Sequence, residues 1–340
     1  MEQTITVPKP YVPIPFSKMM DGPTDINWII DGIMPRTTCG ILAGEPGVGK
    51  TWIAMDLVLA VASGRPWVDK YDTRPSKVLV IDEENAQVLV RRRFISLAWR
   101  YEQYELLDNI DFLVGNSIDI TPLEHLKRGM VPSTDYVMLY DVIAEGEYDL
   151  IVFDSLTRIH HADENDSSKM SMVFSYVKKL MDDLGCSILF THHYNKGRGR
   201  SNNRLRGSSD ILAFPDYVLR VDTDKSHHSI NENGVIIEHG KSRFGENVGD
   251  IIVVLDGEDN RKQIKRISAN DLNNALMTYL EVARTRKDVV KEMQSKGLGS
   301  PSAIDRELNK MIKEKKIYRP TKGIFQITGL SQFNLLNDLL

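Results

Sequence analysis

Along the first two thirds of the chain, apolar residues gather in short unbroken runs: CGILAG (39–44), KVLVID (77–82), IDFLVG (110–115), LIVFD (150–154) and CSILFTHH (186–193). Longer stretches of helical period separate them. A strand covered by helices on both faces needs apolar side chains on both, so the pattern predicts a mostly parallel sheet in an α/β fold. Three further β-rich runs, DYVLRVD, GVIIEHGK and DIIVVLDG, alternate with Asn/Gly/Asp turns and predict a meander that extends this sheet. After Asp259 the pattern changes to three helices and a β-like end. Ser300 and Pro301 supply a cap and a first-turn residue, and Ile304, Leu308, Met311 and Ile312 recur along one helical face. Together with short strands near 316–318 and 323–327, residues 270–330 predict a small winged-helix-like domain behind a core spanning 25–260. Residues 1–24, rich in proline and polar side chains, predict an arm lying on a surface.

Composition narrows the setting. The 340 residues are 41% apolar, enough for a full core, and no apolar run approaches the ~18 residues of a membrane span. Cys39 and Cys186 are too few and too far apart for a disulfide framework, so a soluble, cytoplasmic, reducing setting is expected. The net charge of −4 excludes a generally basic coat and confines nucleic-acid contact to local patches. There are two such patches. Between Arg284 and Lys322 there are 12 Lys/Arg against 5 Asp/Glu, and between His193 and Asp210 the segment NKGRGRSNNRLRGSSD carries Lys196, Arg198, Arg200, Arg204 and Arg206 with no acid before Asp210.

The most specific signal is GEPGVGKT, followed by Trp52. Gly44, Gly47 and Gly49 permit a tight loop whose backbone N–H groups face phosphate oxygens, with Glu45, Pro46 and Val48 between them. Lys50 is placed to reach the β and γ phosphates of ATP, and Thr51 to ligate Mg²⁺. The context is the required one: a strand over 39–43 and an amphipathic helix over 52–61. Asp154, at the tip of LIVFD, is the expected second magnesium-side residue, acting through water. Ser155 follows it where a catalytic glutamate commonly stands, so the base that activates water must come from elsewhere. KVLVID ends in Asp82–Glu83–Glu84–Asn85. If that strand lies next to the phosphate-loop strand, Glu84 can face the γ-phosphate, with Glu83 in reserve.

These residues resemble a known family. INWIIDGIMPRTTCGILAGEPGVGKTWIA, SGRPW, VLVIDEEN, LIVFDSLTRIHHADEN, ILFTHHYNKG, LRGSSD and KSRFGE together resemble the RecA-like ATPases grouped around plasmid RepA-type hexameric replicative helicases, over about residues 25–255. The resemblance implies a RecA-like core, a ring with ATP at subunit interfaces, and a catalytic glutamate ending the strand after the phosphate-loop helix, which supports Glu84. It implies that one of His192 and His193 senses the γ-phosphate, without choosing between them. It implies that Lys241 and Arg243 enter a neighbour's site, with Arg206 a rival for the arginine role. The basic segment after the histidines then reads as a loop for single-stranded DNA, dominated by phosphate contacts. The loop 160–171 is its partner, with Asp163, Glu164 and Asp166 lowering its contribution.

The leading expectation is an ATP- and Mg²⁺-dependent, hexameric DNA helicase of mobile-element or phage type, acting on single-stranded DNA. Its C-terminal domain would dock on duplex DNA or a replication protein. A RecA-like recombinase or strand-exchange mediator, a DNA-binding regulator switched by ATP, and a KaiC-like signalling ATPase are the alternatives.

Overall fold

The computed structural model describes residues 12–327 apart from 23, 102–103, 126–128, 195–206, 224–233, 246–247, 257–261, 267–268, 296–297 and 299–300. Five apolar runs form parallel strands: β1 (Cys39–Gly44), β2 (Val78–Asp82), β3 (Ile110–Val114), β4 (Leu150–Asp154) and β5 (Ser187–His193). Between them lie α1 (Lys50–Ser63), α2 (Gln87–Ala98), α3 (Thr134–Gly146) and α4 (Ser167–Leu184). The chain then continues through β6 (Tyr217–Thr223), β7 (Gly234–Ser242), β8 (Ile251–Asp256) and β9 (Gln263–Arg266). Among the described residues the sheet has nine strands in the order β9-β8-β7-β6-β1-β5-β4-β2-β3. Pairing is parallel from β6 to β3 and antiparallel through the meander from β6 to β9.

Successive residues of the central strands face opposite sides, which explains why these runs are apolar throughout. Leu42, Val80, Val152 and Leu189 join the core beneath α1 and α2, while Ile41, Ala43, Ile81, Phe153 and Phe190 join the core beneath α3 and α4. Ser133 caps α3 by accepting from the Tyr136 amide, and Asp166 caps α4 by accepting from the Ser168 and Lys169 amides. β3 is an edge strand, and its Phe112 remains 43% exposed.

Two expectations about the sheet and the helix on it are corrected. The helix after the phosphate loop is not amphipathic: 12 of its 14 residues are buried. KTWIAMDLVLAVAS is apolar all round, so it needs cover on every side. The sheet covers one side and α2 another. The meander closes a third, with β9 packed against α1 and held to the end of α2 by the Trp99 indole and Arg100 guanidinium, which donate to the carbonyls of Lys262 and Ile264, both at 2.8 Å. The second correction concerns β2, which is not next to β1; β5 and β4 stand between them.

One polar group is enclosed with α1. The Asp56 carboxyl is fully buried, and the Tyr101 hydroxyl donates to its Oδ1 at 3.2 Å. Burial pushes this carboxyl up to about 7, opposed by the Arg100 charge and the Tyr101 hydrogen bond. A carboxyl with a higher pKa folded than unfolded favours the fold most below about pH 4, and this contribution declines as pH rises towards 7. We therefore expect Asp56→Asn to gain thermal stability relative to wild type between pH 5 and pH 8, by on the order of a few kcal/mol. Melting curves at the two pH values check this, and a difference that stays constant would refute it.

The C-terminal residues form α5 (Ala269–Tyr279), β10 (Arg284–Thr285), α6 (Arg286–Ser295), α7 (Pro301–Lys313), β11 (Ile317–Tyr318) and β12 (Ile324–Ile327). The three strands pair antiparallel in the order β10-β12-β11. Leu276, Leu280, Val289, Met293, Leu308 and Phe325 belong to their shared core. Ser300 lies outside the described residues. No described helix is long and apolar enough to cross a membrane.

Candidate nucleotide site

The phosphate loop runs from the end of β1 into α1. Gly47 and Gly49 have φ of 79° and 102°, which L side chains rarely adopt, and a Cβ on Gly44 would lie 2.5 Å from the Val221 carbonyl oxygen. Glu45 and Pro46 are exposed, Val48 is buried and Trp52 is half-buried. The Lys50 ammonium donates to the carbonyls of Gly44 and Glu45, at 3.0 and 2.9 Å. It lies 3.4 Å from Nδ1 of His193. Burial lowers its pKa, opposed by the Asp154 and Glu84 charges.

Asp154 draws three elements together. Its Oδ2 accepts from the Thr51 hydroxyl of α1 at 2.9 Å, and its Oδ1 from the Thr191 hydroxyl of β5. Burial raises the pKa of this carboxyl, opposed by the Thr191 and Thr51 hydrogen bonds and reinforced by Asp82 and Glu84. A hydroxyl beside a buried carboxylate is a hard-oxygen donor set of the kind Mg²⁺ takes, so Thr51 and Asp154 fit that ion.

The two glutamates after β2 diverge. Oδ1 of Asp82 accepts from the amides of Glu84 and Asn85, at 3.0 and 2.8 Å, turning the chain sharply at the strand end. Glu83 is turned away, its carboxylate accepting from the amides of Asn116 and Ser117 at 3.2 and 2.9 Å. Glu84 points the other way, with Oε1 3.8 Å from Nε2 of His193. Thus Glu84 reaches the phosphate loop's surroundings even though β2 is separated from β1, because the turn carries it back across the end of β4.

The histidines diverge as well. Along β5, Leu189 faces the α1 side and Phe190 the α4 side. The same alternation continued puts Thr191 and His193 on the α1 side and His192, fully buried, on the other. Only His193 of the pair is within hydrogen-bonding reach of Lys50.

Lys241 and Arg243 lie elsewhere. Register aligns Ser242 with Tyr217, which aligns with Gly40 near the start of β1, and the Arg243 amide donates to the Asp216 carbonyl. Arg243 is therefore at the opposite end of β1 from the phosphate loop, and the Lys241 side chain turns to the same end. Lys241 donates to the carbonyls of Leu212, Ala213 and Pro215, at 2.9, 2.8 and 2.6 Å. Arg243 donates to Oδ1 of Asp216 at 3.0 Å and to the Ala213 carbonyl at 2.8 Å, while Oδ2 of Asp216 accepts from the Cys39 amide at 2.9 Å. Lys196, Arg198, Arg200, Arg204 and Arg206 all lie outside the described residues.

Glu164 requires a correction, because it is not offered to a passing strand. It is buried, accepts from the Thr157 hydroxyl at 2.8 Å, and through its carbonyl holds the Ser208 amide at 2.6 Å. The loop after β4 is thereby fastened to the far end of the basic segment. Thr191, inside the run ILFTHHYNKG, joins the candidate site although the sequence gives it no role; its signal is a hydroxyl in the middle of an apolar strand. Equally unmarked is the cavity of about 170 Å³ on the meander side of the loop, bordered by Gly47, Trp52, Thr223, Val235, Val253 and Leu255. Its walls are distant in sequence.

The family model of an AAA domain, AAA_25, matches residues 8–199, more than half of the chain. The chain belongs to the AAA_25 family. Among solved structures, this AAA_25 protein is similar to a DnaB-like replicative helicase studied with primase (TM-score 0.54, 13% identity), covering 73% of this chain and 66% of that one. It is also similar to the ATPase domain of G40P (TM-score 0.51, 12% identity), covering 73% of this chain and 95% of that one. At these identities the likeness is one of fold, and the fold is RecA-like.

Proposed function

We propose that this AAA_25 protein is an ATP-driven motor that draws single-stranded DNA through a ring of identical subunits, a helicase of the replicative type. Its working parts would be a core over residues 25–260, an arm before it and the C-terminal module over 270–330. The observation that carries this reading is the gathering of Lys50, Thr51, Asp154, Glu84 and His193 at one end of the sheet while Lys241 and Arg243 occupy the other. One end carries the phosphate loop with a base and a magnesium-side pair, and the other carries Arg243, which is bonded to Asp216 and Ala213 away from its own loop. A closed ring of copies brings the two ends together.

In this reading the loop amides and Lys50 hold the phosphates, and the apolar cavity beside Trp52 takes the base. Thr51 and Asp154 would hold Mg²⁺, which when bound would supply positive charge beside the phosphates. Glu84 accepts the proton of the attacking water. Arg243 of a neighbour, half-exposed and braced by Asp216, steadies charge on the transferring phosphoryl group. His193, between Lys50 and Glu84 on the strand that leads into the basic segment 195–206, relays loss of the γ-phosphate to DNA-holding side chains. The helicase-like solved structures support this assignment over a filament-forming recombinase.

The test is strand displacement on a forked duplex together with ATP hydrolysis. Wild type is expected to separate strands. Lys50→Ala and Arg243→Ala are each expected to be inactive alone, the latter still binding ATP, and a mixture of the two is expected to regain hydrolysis at interfaces that pair an intact loop with an intact arginine. Wild type that hydrolyses ATP without ever separating strands would overturn the motor. Full turnover by Arg243→Ala alone would overturn the shared site.

A further inference from the structure

The C-terminal module carries a surface that the nucleotide site does not use. On α7, Ile304, Leu308 and Met311 are fully buried, and directly opposite them Ser302, Arg306, Asn309, Lys310 and Lys313 are exposed. The spacing 302, 306, 309, 313 keeps these side chains on one stripe of a helix about 20 Å long. The acids of this helix are set aside from the stripe. Asp305 is held by a two-pronged bond from Arg286 at 2.9 and 2.6 Å, and Glu307 is held by Asn273 at 2.9 Å and pairs with Lys310 at 3.4 Å, which leaves Arg306 and Lys313 as the helix's cations on the stripe.

The turn between β11 and β12 sits beside the same stripe. Arg319 opens that turn and donates to Oδ1 of Asn309 at 3.0 Å, while its guanidinium lies over the Phe325 ring at 4.9 Å. Arg319 and Lys322 of the turn are exposed. Helix stripe and turn therefore form one cationic face fixed by side-chain contacts.

We propose that this face binds duplex DNA, with α7 in the major groove and the 319–323 turn on the flanking phosphates. The exposed stripe is cationic and amide-bearing and holds no apolar anchor, whereas the centre of a protein interface draws on aromatic and apolar side chains. The major groove, about 12 Å wide, admits one helix, while the narrow major groove of an RNA duplex does not. Arg306 and Lys313 supply charge for phosphates or guanine edges, and Asn309 and Ser302 are short enough to approach base edges. The proposal goes beyond the motor and does not need it, because ATP takes no part in the binding.

The test is fluorescence anisotropy of a labelled duplex with the full chain and no nucleotide. The double substitution Arg306→Glu with Lys313→Glu is expected to weaken duplex binding at least about tenfold and to flatten its salt dependence by about one power of salt for each phosphate no longer neutralised. Melting curves confirm that the variant is folded. Lys50→Ala is expected to keep full duplex affinity, which separates this surface from any failure of the motor. Unchanged duplex affinity in the folded double variant would overturn the proposal and leave the face to a protein partner. Equal competition by double-stranded RNA would overturn docking in the major groove.

Discussion

Glu84→Gln is expected to lower ATP turnover by about 10²–10⁴-fold, the range spanned by loss of a general base, while ATP still binds with Mg²⁺. Glutamine keeps the size and hydrogen-bonding reach of the side chain and removes only its ability to take a proton. The neighbouring Glu83→Gln is the informative contrast. Glu83 holds the Asn116 and Ser117 amides, so its loss should loosen the end of β3 with little effect on the chemical step. Single-turnover hydrolysis of both variants, beside nucleotide binding by Trp52 fluorescence, separates the two roles. If Glu83→Gln proves to be the inactive variant and Glu84→Gln turns over normally, the base has been assigned to the wrong carboxylate.

The second large effect lies in the central strand. Gly40 is fully enclosed, and a Cβ there would stand 2.0 Å from Cζ of Tyr217, whose buried ring crosses the glycine from the adjoining parallel strand. Neither side can give way, because β1 is flanked by β6 and β5 and the ring is packed on all sides. Gly40→Ala is therefore expected to destabilise the protein by about 3 kcal/mol, at the upper end of typical overpacking costs. In a domain of this size that lowers the melting temperature by roughly 10 °C. Tyr217→Leu added to Gly40→Ala should recover part of the loss, since the two share one space and cannot act additively. A Gly40→Ala protein that melts with wild type would show that the ring does not occupy that position.

The parallel half of the sheet was legible because burial on both faces leaves a plain mark, an unbroken apolar run ending in a candidate site residue. CGILAG and LIVFD are examples, with the phosphate loop and Asp154 at their tips. Strand order was not legible, because KVLVID carries nothing that says which runs it will pair with, and β4 and β5 took the places beside β1 and beyond. Of the site, residues within a contiguous motif stood out, whereas those brought together by crossing connections did not. Thr191 looked like any strand threonine, and Glu164 looked like a surface acid until Thr157 and Ser208 were seen to bond it. The contrast between His192 and His193 required knowing which face of β5 looks toward α1, and a repeated residue type hides that parity.

The Asp216 carboxylate holds both the amide that begins β1 and the guanidinium of Arg243, and the other end of β1 opens into the phosphate loop. The two ends of the proposed shared site are therefore mounted on a single strand, about 16 Å apart by the rise of extended chain. A strand buried in mid-sheet neither stretches nor bends. In an assembled ring, a subunit that shifts its arginine in response to one neighbour must shift its own phosphate loop with it. Timing would then pass around the ring through tilting of whole subunits, as between meshed gears, with no internal slack to absorb a step.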